Sequence, residues 1–183
     1  MAIKSLSDAG PVCLVITGLP GAGKSTVAEL VAMGLPKSTL ISGDQLGAMI
    51  VGGRVWALGS PPQEAAAQVE LSNRNIAALA SNMIDAGFDV VIEIVLPNRF
   101  QLDSITSTLT CDWLLIVLAP GIAVCRARNA ARAEDQRWEF DGHEALEAEM
   151  LDSFRDIGWW LDTAHLGPAE TTEQIISKAG SRM

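Results

Sequence analysis

The chain is short of positive charge. It has 13 lysines and arginines against 22 acids in 183 residues, a formal net charge of −9 at pH 7. A nucleic-acid binder displaces phosphate counterions with a basic surface. None is encoded, so nucleic acid is not an expected partner. Cysteine is scarce too: Cys13, Cys111 and Cys125 stand alone and far apart. Without a CxxC or a Cys/His spacing, neither a structural zinc nor a disulfide framework is expected. Free thiols in a reducing compartment are the expectation. Long apolar runs are missing as well. The longest, Trp113–Leu118, is far below the roughly 18–20 residues that cross a bilayer, so no membrane partner is expected. The apolar stretch Val12–Ile16 runs straight into a glycine-rich loop without a cleavage site, which argues against a signal peptide. The reading is a cytoplasmic protein. No repeat, low-complexity tract or linker interrupts it, so a single domain over residues 1–183 is expected.

What is present alternates strand and helix. Val12–Thr17 is a β-branched run ending in glycine, which suits a buried strand. A helix opens near Gly23 or Lys24 and stops at Gly34-Leu35-Pro36. Ser38–Ser42 is a second strand. Ser60-Pro61-Pro62-Gln63 predicts a helix start with Ser60 as N-cap, followed by a face of Val69, Ile76, Leu79, Ala80 and Met83. Phe88–Leu96 and Trp113–Leu118 are further strands, with a helix from Asn98 to about Thr108 between them. Gly121 to about Ala133 reads as a helix rich in arginine. Asp141 is the expected cap of another helix, with a core stripe of Leu146, Met150, Phe154 and Ile157. Trp159–Leu161 and Ala169–Ala179 complete the series. Five strands interleaved with helices predict an α/β fold: a three-layer, doubly wound, parallel five-stranded sheet.

Gly18-Leu19-Pro20-Gly21-Ala22-Gly23-Lys24-Ser25 matches GxxxxGK[ST], directly after a strand and before a helix. The pattern calls for a loop whose backbone N–H groups cradle phosphates at a helix N-terminus. Lys24 then reaches the β- and γ-phosphates and Ser25 offers a hydroxyl to Mg²⁺. Gly18 to Thr26 are therefore the candidate nucleotide-binding residues, with ATP or GTP and Mg²⁺ as the implied ligands. A dinucleotide fingerprint fails: after Gly21 and Gly23 the third glycine position holds Thr26.

The chemistry beyond binding rests on acids and arginines. Asp44 follows the second strand, where the crevice of an open α/β sheet lies. There it is placed to accept a proton from an incoming hydroxyl, to partner Mg²⁺, or to cap the helix that follows. Glu93 is an acid in an apolar strand and needs a partner, which Mg²⁺ or a substrate hydroxyl would supply. Arg128 and Arg132 share a helical face and are candidates for placing positive charge on a transferring phosphoryl group, in a lid over about 128–142. The alternative is a solvated basic face paired with Glu134, Asp135 and Glu139. Residues 134–162 hold ten acids and two bases, so almost all of the net charge sits just beyond the arginines. Those acids are expected to face solvent or to hold arginines.

Taken together, Gly18–Thr26, Gly43-Asp44-x-Leu46, the arginines, and Leu161-Asp162-Thr163 before a Pro-Ala-Glu helix start make the chain resemble the small P-loop kinases. Chloramphenicol phosphotransferase-like, gluconate, adenylylsulfate and zeta-toxin-like kinases, all of the nucleotide-kinase type with an arginine-bearing lid, are the group it looks like. Tunicamycin-resistance proteins also resemble the pattern. The resemblance implies Asp44 as base, Glu93 as the acid ending the third strand, and Arg128 and Arg132 as lid arginines. It implies transfer of the γ-phosphate of ATP to a hydroxyl of a small molecule such as an antibiotic or metabolite, by a monomer or homodimer. The alternatives are an ATP-binding protein of the tunicamycin-resistance type and an NTPase without an acceptor. No NKxD guanine motif is present, and an AAA+ motor would need a further helical domain. The resemblance implies an acceptor held between Gln45 and Pro62, where the apolar stretch Met49–Leu58 offers Trp56 as a wall and Arg54 as an anchor; the alternative is a core-packing segment under a loop.

Overall fold

The computed structural model describes residues 10–134, 137 and 139–180. Strands β1 (Val12–Gly18), β2 (Ser38–Ser42), β3 (Asp89–Glu93), β4 (Asp112–Leu118) and β5 (Trp159–Leu161) form one parallel sheet in the order β2-β3-β1-β4-β5. The central strands are near-continuous Val, Ile and Leu, because a parallel sheet is covered on both faces. All seven residues of β1 are buried. Helices α1 (Lys24–Gly34), α2 (Gly43–Ala48), α3 (Pro62–Asp85), α4 (Arg99–Thr106), α5 (Ile122–Ala130), α6 (His143–Phe154) and α7 (Pro168–Gly180) connect and flank the strands. The chain steps outward from β1 to β2, then returns through β3 and across to β4. Right-handed crossovers therefore place α1 on one face and α3 and α4 on the other. The contacts agree, since α1 packs on α7 and α3 on α4.

Several element ends differ from the sequence reading, each for a local reason. The third strand stops at Glu93 rather than Leu96; beyond it the Leu96 N–H is taken by the Thr17 hydroxyl at 3.0 Å instead of a strand partner. Helix α3 starts at Pro62 with Pro61, not Ser60, as N-cap, and the Ser60–Pro61 bond is cis. Its buried face is Ala65, Asn73, Ile76, Ala77, Ala80 and Ile84, while Leu79 stays 38% exposed. Helix α6 is capped by Gly142 with no side-chain bond, so Asp141 is not its cap. In its stripe Met150 and Phe154 are fully buried, with Leu146 and Ile157 packed against the core.

Candidate functional site

The ends of β1, β2 and β3 meet at the glycine-rich loop. In β1, Ile16 is in register with Glu93, and Ser42 at the end of β2 is in register with the same glutamate. Two loop glycines answer to neighbouring backbone. Gly18 has φ +147°, and a Cβ there would lie 2.5 Å from the Leu118 carbonyl oxygen of β4. Gly21 has φ +87°, and its Cβ would be driven into the Cys125 carbonyl oxygen of α5. These contacts make glycine obligatory before any ligand is considered.

Lys24 opens α1, but its side chain folds back under the loop. Its Nζ donates to the carbonyl oxygens of Gly18 (3.1 Å) and Leu19 (3.2 Å). Burial pulls the ammonium pKa down. The charges of Glu93 and Asp44 oppose that pull, and Arg132 adds to it. These four charges therefore share one neighbourhood. The backbone N–H groups of Lys24, Ser25 and Thr26 begin the helix and have no intrahelical acceptor, so this helix start is suited to an anion.

Glu93 is 4% exposed, and its carboxylate is divided between two hydroxyls. Ser25 donates to Oε1 at 3.2 Å and Ser42 donates to Oε2 at 3.0 Å. Ser42 also caps α2, accepting from the Gln45 N–H at 3.4 Å. The cap of this helix is thus Ser42, not Asp44. Asp44 sits exposed in the first turn, with its carboxylate not used for capping. Ser42 was legible in principle, because Ser42-Gly-Asp-Gln45 has the spacing of a capping box. The hydroxyl of Ser25 beside a buried carboxylate is a hard-oxygen pair. It fits Mg²⁺, which takes one or two protein ligands and completes its shell with phosphate oxygens and water.

The arginines divide. Arg128 lies in the last turn of α5 and reaches back to the loop. It donates from Nη1 to the Ala22 carbonyl (2.9 Å) and from Nη2 to the Thr163 carbonyl (3.2 Å). Its guanidinium thus joins the loop to the turn between β5 and α7. Arg132 lies just past α5 and is exposed, and its own carbonyl accepts from Arg137 Nε at 2.9 Å. Arg126 pairs with Glu144 in the first turn of α6 at 2.9 Å, so one acid of the charged stretch does hold an arginine. The lid expected over 128–142 includes residues 135, 136 and 138, which lie outside the described residues, as does the expected partner Asp135.

Sequence reasoning missed His143. This first residue of α6 is 3% exposed, and its Nε2–H donates to the Pro20 carbonyl at 3.3 Å; a carbonyl can only accept, which sets the tautomer. The Phe140 ring packs edge-on to the imidazole, 4.8 Å between centroids. Four consecutive-region carbonyls of the loop are therefore held by side chains: Gly18 and Leu19 by Lys24, Pro20 by His143, Ala22 by Arg128. No spacing rule points to His143, because the contact spans 123 residues.

A parallel five-stranded sheet with this loop at the end of its central strand, a buried lysine and a hydroxyl–carboxylate pair defines a P-loop NTPase fold of the kinase type. The chain belongs to the AAA domain family, here a P-loop kinase family, which it matches over residues 13–157. Among solved structures it is similar to a sugar kinase from Janibacter sp. HTCC2649, with 18% identity, TM-score 0.65, and coverage of 92% of this chain and 93% of that one. It is similar to the tunicamycin resistance protein of Deinococcus radiodurans at 20% identity and TM-score 0.65, covering 93% and 96%. It is also similar to a gluconokinase from Sinorhizobium meliloti 1021 at 16% identity and TM-score 0.62, covering 98% and 94%. No curated protein matches significantly. Among the described residues, no helix is long and apolar enough to cross a membrane.

Proposed function

We propose that this chain is an ATP-dependent phosphotransferase that moves the γ-phosphate to a hydroxyl of a small molecule. The observation that carries the reading is Asp44. It is exposed, relieved of capping by Ser42, and close enough to Lys24 for its charge to oppose the lowering of the lysine pKa. An acid in the first turn of α2, directly after the strand whose Ser42 shares Glu93 with Ser25, has the position of a general base. In this scheme the acceptor oxygen bonds to the γ-phosphorus, the bond from that phosphorus to the β,γ-bridging oxygen breaks, and the hydroxyl proton goes to Asp44. ADP and a phosphate ester leave. Lys24 and Arg132 set positive charge against the phosphoryl oxygens as negative charge spreads over them. Arg128, held on the Ala22 and Thr163 carbonyls, acts first on the shape of the loop. Ser25 and Glu93 would hold Mg²⁺, which when bound neutralises phosphate charge. The sugar kinase and gluconokinase among the structural relatives support transfer to an alcohol. The tunicamycin resistance protein supports the rival, nucleotide binding tied to a drug.

The test is a screen of hydroxylated metabolites and antibiotics for ATP-dependent mass gain of one phosphate. Lys24→Ala should abolish transfer. Asp44→Asn should bind ATP nearly as the parent does while kcat falls by about two to four orders of magnitude. Full activity in Asp44→Asn would remove Asp44 as base. ATP binding with no acceptor phosphorylated would favour the rival.

A further inference from the structure

We propose that the acceptor is a small hydroxylated anion with an apolar body, and that Arg54 reads its negative charge. This rests on the kinase reading above and narrows it to a substrate class.

The argument begins with Gln68, a half-buried side chain of α3. Its Oε1 accepts from the Val55 N–H at 2.8 Å, and its Nε2 donates to the Gly53 carbonyl at 2.8 Å. The amide thus grips the backbone on both sides of Arg54 as a strand neighbour would. Its Nε2 also donates to Glu64 Oε1 at 2.8 Å, one turn back on α3, which sets the amide's orientation. The effect is to fix the main chain of residue 54. Arg54 itself has no hydrogen bond or ion pair among the described residues, and it is exposed. A long cation on a clamped backbone loses less freedom on binding than one on a loose loop, which favours capture of a ligand.

The guanidinium stands close to α2, the helix that carries Asp44. A Cβ added to Gly47 of α2 would meet its Nη2 at 3.9 Å. Gly47 is three residues after Asp44 on the same short helix, and residues so spaced have Cβ positions about 5–6 Å apart. An anionic group on Arg54 therefore leaves a molecule of a few carbons able to present its hydroxyl to Asp44. Arginine suits carboxylate and phosphate alike, since its fork makes two parallel charge-assisted bonds. The surrounding surface is apolar: Met49, Val51, Trp56 and Leu58 are all largely exposed along the same segment. A polyol would gain little from these side chains, whereas an apolar body would cover them.

The experiment uses the full chain with matched pairs: aliphatic and aromatic hydroxy acids, their hydroxyl-bearing primary amides, and phosphorylated alcohols with a second free hydroxyl. ATP-dependent gain of one phosphate is read by mass, and KM is measured for each acceptor used. Transfer confined to the anionic members is expected. Arg54→Gln should raise acceptor KM about tenfold to a hundredfold with KM for ATP unchanged. Gln68→Ala should raise acceptor KM severalfold, again without moving KM for ATP, because it loosens only the presentation of Arg54. Amides used as well as acids, or an unchanged acceptor KM in Arg54→Gln, would overturn the acceptor class and leave the kinase reading standing. Bound ATP with no transfer to any member would overturn the kinase reading and this inference together.

Discussion

Glu93 shows how a single side chain organises a site. A carboxylate buried without partners would be costly, and this one takes hydroxyl hydrogens from Ser25 and Ser42 on its two oxygens. Its rotamer is thereby tied at once to the start of α1 and the start of α2. Ser42→Ala should lower kcat more than it raises KM for ATP, with Ser42→Thr restoring most of the loss. Loss of the α2 cap should cost about 1 kcal/mol in denaturant unfolding. Equal kcat in the alanine variant would show that Glu93 needs no second donor. Gly21 sets a sharper limit. Gly21→Ala meets the Cys125 carbonyl and a φ of +87°, so Tm and ATP affinity should both fall. Gly52→Ala is the control, because nothing lies within 4 Å of its added Cβ and Tm should hold. The placing of Lys24 and Ser25 at the end of a glycine-rich loop and the start of a helix was legible from spacing alone. The bond from Ser42 to Glu93 and that from His143 to Pro20 were not, since each is a contact made only on folding.

Helices α5 and α6 serve the site as supports. Arg128 from one and His143 from the other hold the carbonyls of Ala22 and Pro20. Arg128→Lys keeps the charge but loses the fork that spans the Ala22 and Thr163 carbonyls. Its KM for ATP should rise about tenfold in steady-state assays, and His143→Ala should act in the same direction. By contrast, the Arg126–Glu144 pair is exposed, so Glu144→Gln should leave Tm and KM for ATP unmoved. The elements themselves were readable where pattern and end signals agreed, as in β5 and α1. They were misread where two caps competed. Asp141 lost to Gly142 and Ser60 to Pro61, because capping depends on the entry path of the chain and not on residue type alone.

At the scale of the whole molecule, the sheet order brings residues 18, 42 and 93 to one edge of the structure. The opposite end of the sheet carries an acid as well. Asp89 opens β3, is 6% exposed, and accepts the Val12 N–H on Oδ1 at 3.0 Å. Burial raises its pKa, and the bond from Val12 offsets part of the rise. The folded state then holds this proton more tightly than the unfolded chain does. Its contribution to stability is fully present below the ordinary carboxylate pKa and is lost as pH rises through the raised value. Asp89→Asn keeps an acceptor for Val12 and has no charge to bury. Denaturant unfolding from about pH 4 to 7 should show the variant gaining on the parent as pH rises, and a constant gap would contradict the assignment. The net charge of −9 resolves in the same way into a local feature. The acids crowd residues 134–162, and the structure engages Glu144 with Arg126 and Glu149 with the Asn98 side chain. By itself the sequence determined the strand–helix alternation, the parallel sheet and the phosphate loop, because periodicity and an eight-residue motif are local properties. Only the tertiary structure decided which side chains hold the Pro20 and Ala22 carbonyls, that Ser42 shares the Glu93 carboxylate with Ser25, and that Gln68 holds the backbone on both sides of Arg54. Those are contacts between segments distant along the chain, and their geometry exists only once the sheet has closed.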